Sequence, residues 1–145
     1  MKQSAKVRYA LLALLQLASH HGQEDFLQID QIAADQQIPE RYLAQLLMTL
    51  RGCGLVRSQR GAKGGYSLAR APAQITMFEV LVCLEGTPFQ ELSSQTESRT
   101  MENFAIAQLW QEANMAAIAV FKGYTLQDLC DKRDEGQKSN SMYYI

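Results

Sequence analysis

The residues that could do chemistry lie in a block of positive charge in the first half of the chain. Between positions 41 and 70 the sequence carries six basic residues and no acidic one: Arg41, Arg51, Arg57, Arg60, Lys63 and Arg70. The whole chain has 14 basic and 15 acidic residues and a net charge of -1. A neutral chain that concentrates positive charge in one segment is expected to contact a local anionic partner. The alternative is a solvated basic face, and charge alone does not separate the two.

A glycine-rich stretch inside this block could contact phosphate. Residues 61–65 read Gly-Ala-Lys-Gly-Gly, which fits either a tight hairpin turn or the phosphate-binding loop of a nucleotide enzyme. The nucleotide loop needs a Lys-Ser or Lys-Thr pair that opens a helix, whereas Lys63 is followed by Gly64 and a strand-like segment. The chain also has no Gly-x-Ser-x-Gly pattern of a hydrolase nucleophile. The sequence therefore favours a turn and predicts no enzyme.

The cysteines and histidines do not form a pattern that binds metal. Cys53, Cys83 and Cys130 are an odd number at wide spacing, with no Cys-x-x-Cys pair and no neighbouring histidine. This argues against a disulfide framework and against a zinc site. His20 and His21 are adjacent, and successive helical residues point about 100° apart, so we expect surface histidines and no metal site.

Length and composition fit one compact unit with at most a short appended element. The chain has 145 residues, of which 47% are hydrophobic and 20% charged, and a domain commonly takes about 100–150 residues. No apolar run reaches the roughly 18 residues of a membrane span. The basic N-terminus is not followed by a signal-peptide cleavage site. We therefore expect a cytoplasmic protein with no membrane partner.

Hydrophobic spacing and capping residues predict the order of elements. Ser4, Asp30 and Thr76 are the expected N-caps, and Thr76 with Glu79 has the spacing of a capping box, as does the start of the last helix. The predicted elements are helices over 5–19, 30–36 and 39–52, strands over 55–60 and 65–70, a helix from Thr76 to Gly86, a polar loop over 87–100, a long helix over about 97–121 that ends before Gly123, a short helix from Thr125, and a polar, mobile tail over 134–145.

The order helix, short helix, helix and basic hairpin is typical of a winged helix-turn-helix. In that fold the third helix enters the DNA major groove, and the hairpin, or wing, lies along the backbone or in the adjacent minor groove. A stripe of leucines predicts which face of the third helix is buried: Leu43, Leu46, Leu47 and Leu50. Arg41 and Gln45 then lie on the other face, where Arg can pair with guanine and Gln with adenine.

Several segments of the chain resemble bacterial Rrf2-type winged-helix regulators. The resemblance covers residues 2–86 closely and continues more loosely through Leu109-Trp110 and Thr125-Leu126. Its most specific part is the hairpin Arg-Gly-x-x-Gly-Gly-Tyr together with Arg-Tyr-Leu-x-Gln on the third helix. The matching segments are Lys6-x-Arg8-Tyr9-Ala10, Pro39-Glu40-Arg41-Tyr42-Leu43-x-Gln45-Leu46, Gly54-Leu55-Val56-x-Ser58-x-Arg60-Gly61-x-x-Gly64-Gly65-Tyr66-x-Leu68-Ala69-Arg70, Ile75-Thr76 and Glu85-Gly86.

The resemblance implies a mainly α protein, a winged helix-turn-helix with a two-stranded wing and a long C-terminal dimerisation helix. It implies a homodimeric regulator that binds double-stranded DNA, and we expect a repressor of a pseudo-palindromic operator. The expected division is a DNA-binding domain over 1–86, a loop over 87–100, dimerisation and C-terminal helices over 101–133, and the tail. The candidate DNA contacts are Arg8, Arg41, Tyr42, Gln45, Arg51, Ser58, Arg60, Gly61, Lys63 and Gly64. The candidate dimer contacts are Phe104, Leu109, Trp110, Ala113 and Val120.

The chain departs from this family in two places. Several members bind an iron–sulfur cluster through three cysteines and often a histidine between the fourth helix and Leu109-Trp110, but residues 87–108 contain neither residue type here. We therefore expect no cofactor; the alternative is an iron–sulfur or thiol-based redox sensor of the same fold, with a cluster drawing on Cys83 and a partner's Cys130. At Ala44 some members carry an acidic side chain that contacts bases, so base preference is not transferred by analogy.

Overall fold

The computed structural model describes residues 3–23, 26–86 and 100–143 of the protein. These ranges contain six α-helices, a short 3-10 helix and a two-stranded antiparallel sheet, which confirms the predicted mainly α class. The elements are α1 (Ala5–Ser19), α2 (Ile29–Gln36), α3 (Glu40–Gly52), β1 (Val56–Gln59), β2 (Gly65–Leu68), the 3-10 helix (Pro72–Gln74), α4 (Met77–Glu85), α5 (Met101–Gly123) and α6 (Leu126–Tyr143).

The core forms where α1, α2, α3 and α4 meet. The predicted leucine stripe of α3 lies in it, so these leucines serve packing. α1 begins at its predicted cap, where the Ser4 hydroxyl accepts a hydrogen bond from the Val7 N–H at 3.2 Å. The large side chains with almost no exposure are Leu14, Leu17, Ile32, Leu43, Leu47, Leu50, Leu55, Ile75, Leu126 and Val80.

β1 and β2 form the predicted hairpin, although each strand is shorter than expected. The register pairs Val56 with Leu68 and Gln59 with Gly65. Gly65 has a φ of +144°, and a Cβ atom there would collide with the Leu27 carbonyl, so only glycine fits. Leu27 and Tyr66 exchange two backbone hydrogen bonds of 2.9 and 2.8 Å. The segment before α2 is thereby fixed to the base of the wing.

α2 begins one residue earlier than predicted, and Asp30 is not its cap. Gln28 holds the N-cap position and makes no side-chain capping bond. The Asp30 carboxylate accepts instead from the N–H of Gln31 at 2.9 Å. Because the preceding Leu27 is fixed by its bonds to the wing, the chain enters the helix directly after it. The position of the cap thus follows from a tertiary contact.

Two capping boxes lie side by side where α4 and α6 begin, as their sequence spacing predicts. Thr76 and Glu79 exchange bonds of 3.1 and 3.0 Å, and Thr125 and Asp128 exchange bonds of 3.1 and 2.8 Å. Thr76 and Thr125 also form an antiparallel bridge, flanked by backbone hydrogen bonds of 2.9 and 2.8 Å. The first turns of the two helices are therefore joined.

α6 is longer than predicted. In place of a short helix and an irregular tail over 134–145, the helix continues to Tyr143. Residues 134–143 contain no proline and a single glycine, and a polar sequence of this kind can extend a helix into solvent. The start of α6 is held by buried Leu126, and Arg133 donates to the Ser19 hydroxyl of α1 at 2.9 Å. Polarity alone does not end a helix that is anchored in this way.

The predicted loop over 87–100 lies outside the described residues except for Thr100, as do residues 97–99 of the predicted long helix. α5 begins after Thr100, whose hydroxyl accepts from the Asn103 N–H at 3.2 Å, and it ends at Gly123, two residues beyond the predicted end near Phe121. Across the described ranges, no helix has the length and apolar character needed to cross a membrane.

The argument against a disulfide framework was wrong for one pair of cysteines. Cys53 and Cys83 are joined by a disulfide, with their Cα atoms 6.0 Å apart. Cys53 is the C-cap of α3 and Cys83 lies in α4. The two residues are 30 positions apart, and a lone pair at such spacing carries no sequence signal. The packing of α3 against α4 brings them together.

Candidate DNA-binding surface

α3 presents a polar face opposite its buried leucines. Arg41 and Gln45, the predicted base contacts, are both exposed, and Ala44 between them is half-buried. Met48 continues the same face one turn later, with 61% of its surface exposed. The helix therefore offers a guanidinium, an amide and a flexible apolar side chain in one row. These groups match the donors, acceptors and thymine methyl groups of the major groove.

A polar cluster between α1 and α2 holds the helix that precedes α3. The turn between the two helices contains Gln37 in the left-handed conformation, with φ of 56°. The Gln16 side chain, only 9% exposed, donates to Asp35 and accepts from Gln36, both at 2.8 Å. A buried amide with both ends bonded fixes its neighbours closely. α2 is therefore held against α1, and α3 follows the turn and packs against both helices.

Tyr42 and Arg8 lie beside the start of α3. The Tyr42 ring is half-buried and packs edge-to-face on Tyr9 of α1, with ring centroids 5.7 Å apart. Arg8 is exposed and its guanidinium lies 5.0 Å from the Tyr9 centroid. Arg8, Tyr9 and Tyr42 thus lie side by side where α1 meets the start of α3.

The wing is joined to α3 by a hydrogen bond between two predicted contact residues. The Arg51 guanidinium, in the last turn of α3, donates to the Ser58 hydroxyl of β1 at 3.0 Å. The neighbouring Arg57 donates to Ser67 across the hairpin at 3.0 Å and lies 5.5 Å from the Phe26 ring centroid. The Arg51–Ser58 bond joins the wing to α3, whereas the Arg57–Ser67 bond joins the two strands of the wing to each other. Neither the bonds nor the stacking on Phe26 has a signal in the sequence.

The tip of the wing carries two exposed cations. Arg60 and Lys63 are exposed, and among the described residues neither forms an ion pair with a carboxylate. Gly61 has a φ of +110°, and its carbonyl accepts from the Gly64 N–H at 3.0 Å. A Cβ on Gly64 would collide with the Gln59 carbonyl, so the turn requires glycine there. The tight backbone projects both cations from one small loop.

Arg70, the last member of the basic block, is paired with a carboxylate of the same chain at the partly exposed surface. Its guanidinium forms an ion pair with Glu79 at 3.2 Å and donates to the Gln74 carbonyl at 3.2 Å. Partial burial raises the pKa of Glu79, but the Thr76 N–H and the Arg70 guanidinium outweigh burial and hold that pKa below its usual value. The basic block therefore divides into residues near the α3–wing surface and one residue that fastens the wing to α4.

α5 carries the predicted dimer contacts on an uncovered apolar surface. None of its 23 residues, all of them described, is buried. Ala113 is also exposed. An apolar surface of this extent marks an interaction site. The large exposed hydrophobic residues of α5 are Met101, Phe104, Ile106, Leu109, Trp110, Met115 and Val120, at 51–77% exposure.

The residues present do not fit an iron–sulfur cluster. Thiolates and imidazoles are the required ligands, but Cys53 and Cys83 are bonded to each other and Cys130 is buried. Residues 87–108 supply neither Cys nor His. Within residues 3–23, 26–86 and 100–143, no three His, Cys, Asp or Glu side chains come together as a metal site.

Comparisons with known proteins match this architecture. Residues 3–132 match the Rrf2 family, described as an iron-dependent transcriptional regulator. The chain is 36% identical over 147 residues to the HTH-type transcriptional regulator CymR of Bacillus subtilis, with both chains covered completely. The solved structure of CymR, the global cysteine regulator of B. subtilis, is similar with a TM-score of 0.76 and 38% identity, over 91% of this chain and 98% of that one.

A second solved structure, IscR of T. potens, has a TM-score of 0.77 and 33% identity, over 94% of this chain and 91% of that one. Both relatives share the winged-helix architecture, which confirms the predicted fold class. The family and the relatives named here are transcriptional regulators rather than enzymes. On the extent of these matches, the chain belongs to the Rrf2 family of transcriptional regulators.

Proposed function

We propose that the protein is a homodimeric transcription regulator, a repressor that binds a pseudo-palindromic operator in the cytoplasm. The observation that carries the proposal is the hydrogen bond between Arg51 and Ser58, which joins the polar face of α3 and the basic wing into one surface. Duplex DNA is the partner that this surface matches: a groove wide enough for one helix beside a row of phosphates.

The two parts of the surface take different roles. α3 enters the major groove, where Arg41 contacts guanine and Gln45 contacts adenine in bidentate geometry. Arg60 and Lys63 at the wing tip contact phosphates or the adjacent minor groove and set the register of the protein on the duplex. Contacts to phosphate supply affinity, and contacts to base edges supply sequence preference.

The proposed dimer forms through α5. Its apolar face would be covered by the same face of a partner chain, which places two α3 helices on one side of the duplex. In a symmetric dimer the two recognition helices contact half-sites about one helical turn apart, about 34–36 Å. Bound across a promoter, such a dimer excludes the transcription machinery, which is the basis for proposing repression.

The test is fluorescence anisotropy with labelled duplexes from the region upstream of the protein's own gene, over a range of salt concentrations. Each neutralised phosphate lowers the log–log slope by about 0.9, so several basic contacts per dimer give a steep dependence. The Lys63→Ala variant reduces this slope, whereas Lys138→Ala, on α6 outside the basic block, leaves it unchanged. A slope near zero for the unmodified protein would contradict DNA binding.

A further inference from the structure

We propose that Cys53 and Cys83 are a reversible modification site, at which a low-molecular-weight thiol–disulfide couple opens and closes the bridge and thereby changes DNA affinity. The inference rests on the proposed function for its effect on DNA, but the chemistry of the site itself does not depend on DNA. Disulfides that persist are rare in the reducing cytoplasm, and those present there are commonly redox-sensing or catalytic.

The pair occupies a position that matters for the DNA-binding surface. Cys53 caps the C-terminal end of α3, two residues after Arg51, and β1 begins three residues later at Val56. Cys83 lies in α4, which packs against both α3 and α5. The Cα separation of 6.0 Å is within the usual range for a bridge. The bond therefore ties the base of the wing and the end of α3 to the helix that leads to α5.

The disulfide is accessible to small reagents. Cys53 is exposed and Cys83 is half-buried. A shallow groove of about 280 Å³ runs beside them, with Leu55, Phe78 and Val82 on its apolar side. A small thiol compound therefore has access to the Cys53 sulfur from solvent. Cys130 offers the contrast, because it is almost fully buried and burial raises the pKa of its thiol, which makes it inert to such exchange.

The chemistry is thiol–disulfide exchange and balances without a further oxidant. The Cys53 thiolate attacks a disulfide RSSR, which forms a Cys53–SR mixed disulfide and releases one RS⁻. The Cys83 thiolate then attacks the Cys53 sulfur and releases the second RS⁻. Two protein thiols lose two electrons and two protons, and RSSR becomes two RSH. In reverse, one RS⁻ attacks the Cys53 sulfur and releases Cys83, and a second RS⁻ frees Cys53.

The bridged form is the tighter DNA binder. In the reduced form only packing holds the end of α3 and the start of β1 against α4, so both retain more freedom that DNA binding must remove. The bridge removes part of that freedom in advance, which lowers the cost of binding. We expect the bridged protein to bind its operator about fivefold more tightly.

The experiment uses the full chain equilibrated in reduced and oxidised glutathione at a series of ratios. Thiol alkylation and mass spectrometry measure the bridged fraction, and anisotropy measures the Kd for operator DNA in the same samples. The expected result is one two-electron transition confined to Cys53 and Cys83, with a parallel fivefold decrease in Kd. Cys53→Ser and Cys83→Ser should abolish the dependence of Kd on the ratio, and Cys130→Ala should preserve it.

Three outcomes would overturn the proposal: no bridge in excess oxidised glutathione, equal Kd values for the two forms, or weaker binding by the bridged form. The redox series uses the unmodified protein, so its result does not depend on whether the variants fold. Circular dichroism checks separately that the variants are folded. Failure of the proposed function is distinguishable, because the alkylation transition would remain while neither form bound duplex DNA in a salt-dependent manner.

Discussion

α3 and α5 both carry exposed side chains, but these side chains differ in chemistry. α3 buries four leucines, Leu43, Leu46, Leu47 and Leu50, and exposes Arg41 and Gln45. α5 buries none of its described residues and exposes Phe104, Leu109 and Trp110. A polar face needs a polar or charged partner, whereas an apolar face is stabilised by removal from water. Under the proposed function, the chain divides DNA contact and self-association between these two helices.

The strongest test of this division removes the apolar character of α5. Leu109→Glu should give monomers that keep their fold, because Leu109 is not part of the core. Affinity for a two-site operator should fall about 100-fold or more, since a monomer engages one half-site at a time. Sedimentation velocity measures the oligomeric state and anisotropy the affinity.

The matched control for this variant is Lys138→Glu on α6, which introduces the same carboxylate on a polar surface and should leave a dimer. Unmodified protein that sediments as a monomer at micromolar concentration would contradict the role assigned to α5.

The second test addresses the polar face of α3. Arg41→Ala and Gln45→Ala should each reduce discrimination at particular base pairs by about 1–3 kcal/mol, because each removes a bidentate contact with a base edge. Binding selection with randomised half-sites measures the change position by position. If these variants weakened all sequences equally, α3 would be a phosphate contact and the wing would determine sequence preference.

The third test separates the wing from α3. Lys63→Ala should weaken binding to every sequence by about the same factor and reduce the salt slope by about 1 for each phosphate that the lysine no longer neutralises. Titrations at several salt concentrations with operator and scrambled duplexes measure both quantities. Weaker binding confined to the operator would assign base recognition to the wing tip.

The smallest expected effect concerns the ion pair between Arg70, which follows the wing, and Glu79 of α4. The folded protein lowers the pKa of Glu79, so the ionised carboxylate adds stability above its ordinary pKa of 4.5, and this contribution is lost as the pH falls through the folded value. Because the pair is partly solvent-exposed, Glu79→Gln should cost only about 0.5 kcal/mol at pH 7. Urea unfolding at a series of pH values below 7 should show the difference shrinking as the pH falls through the lowered pKa of Glu79.

Local signals predicted a large part of the fold. The leucine stripe of α3, the Thr76–Glu79 capping box and the glycines of the wing each act within a few residues, and the structure has them as expected. Contacts between distant elements were not predictable. The bridge between Cys53 and Cys83 depends on helix packing, and the length of α6 depends on its anchored start rather than on its polar composition.

The candidate site also combines features that the local sequence predicts with contacts between distant elements that it does not predict. The residue types of Arg41, Gln45, Arg60 and Lys63 indicated a surface for DNA, because base edges and phosphates call for those side chains. The internal pairing of Arg70 with Glu79, and the bond from Arg51 to Ser58, could not be predicted, since each joins elements whose relative position only the folded chain defines.

The bridge between Thr76 and Thr125 has a consequence for measuring distance along DNA. It lies two residues beyond the end of α5, so that end is clamped to α4 and α6. In the proposed dimer, fixing the end of α5 in this way limits the movement of the two copies of α3 relative to each other. The dimer then holds its two recognition helices at a fixed separation and orientation. One base pair inserted between the half-sites rotates one half-site relative to the other by about 34–36°. A rigid dimer cannot adjust to this rotation, so its affinity for the altered operator should fall.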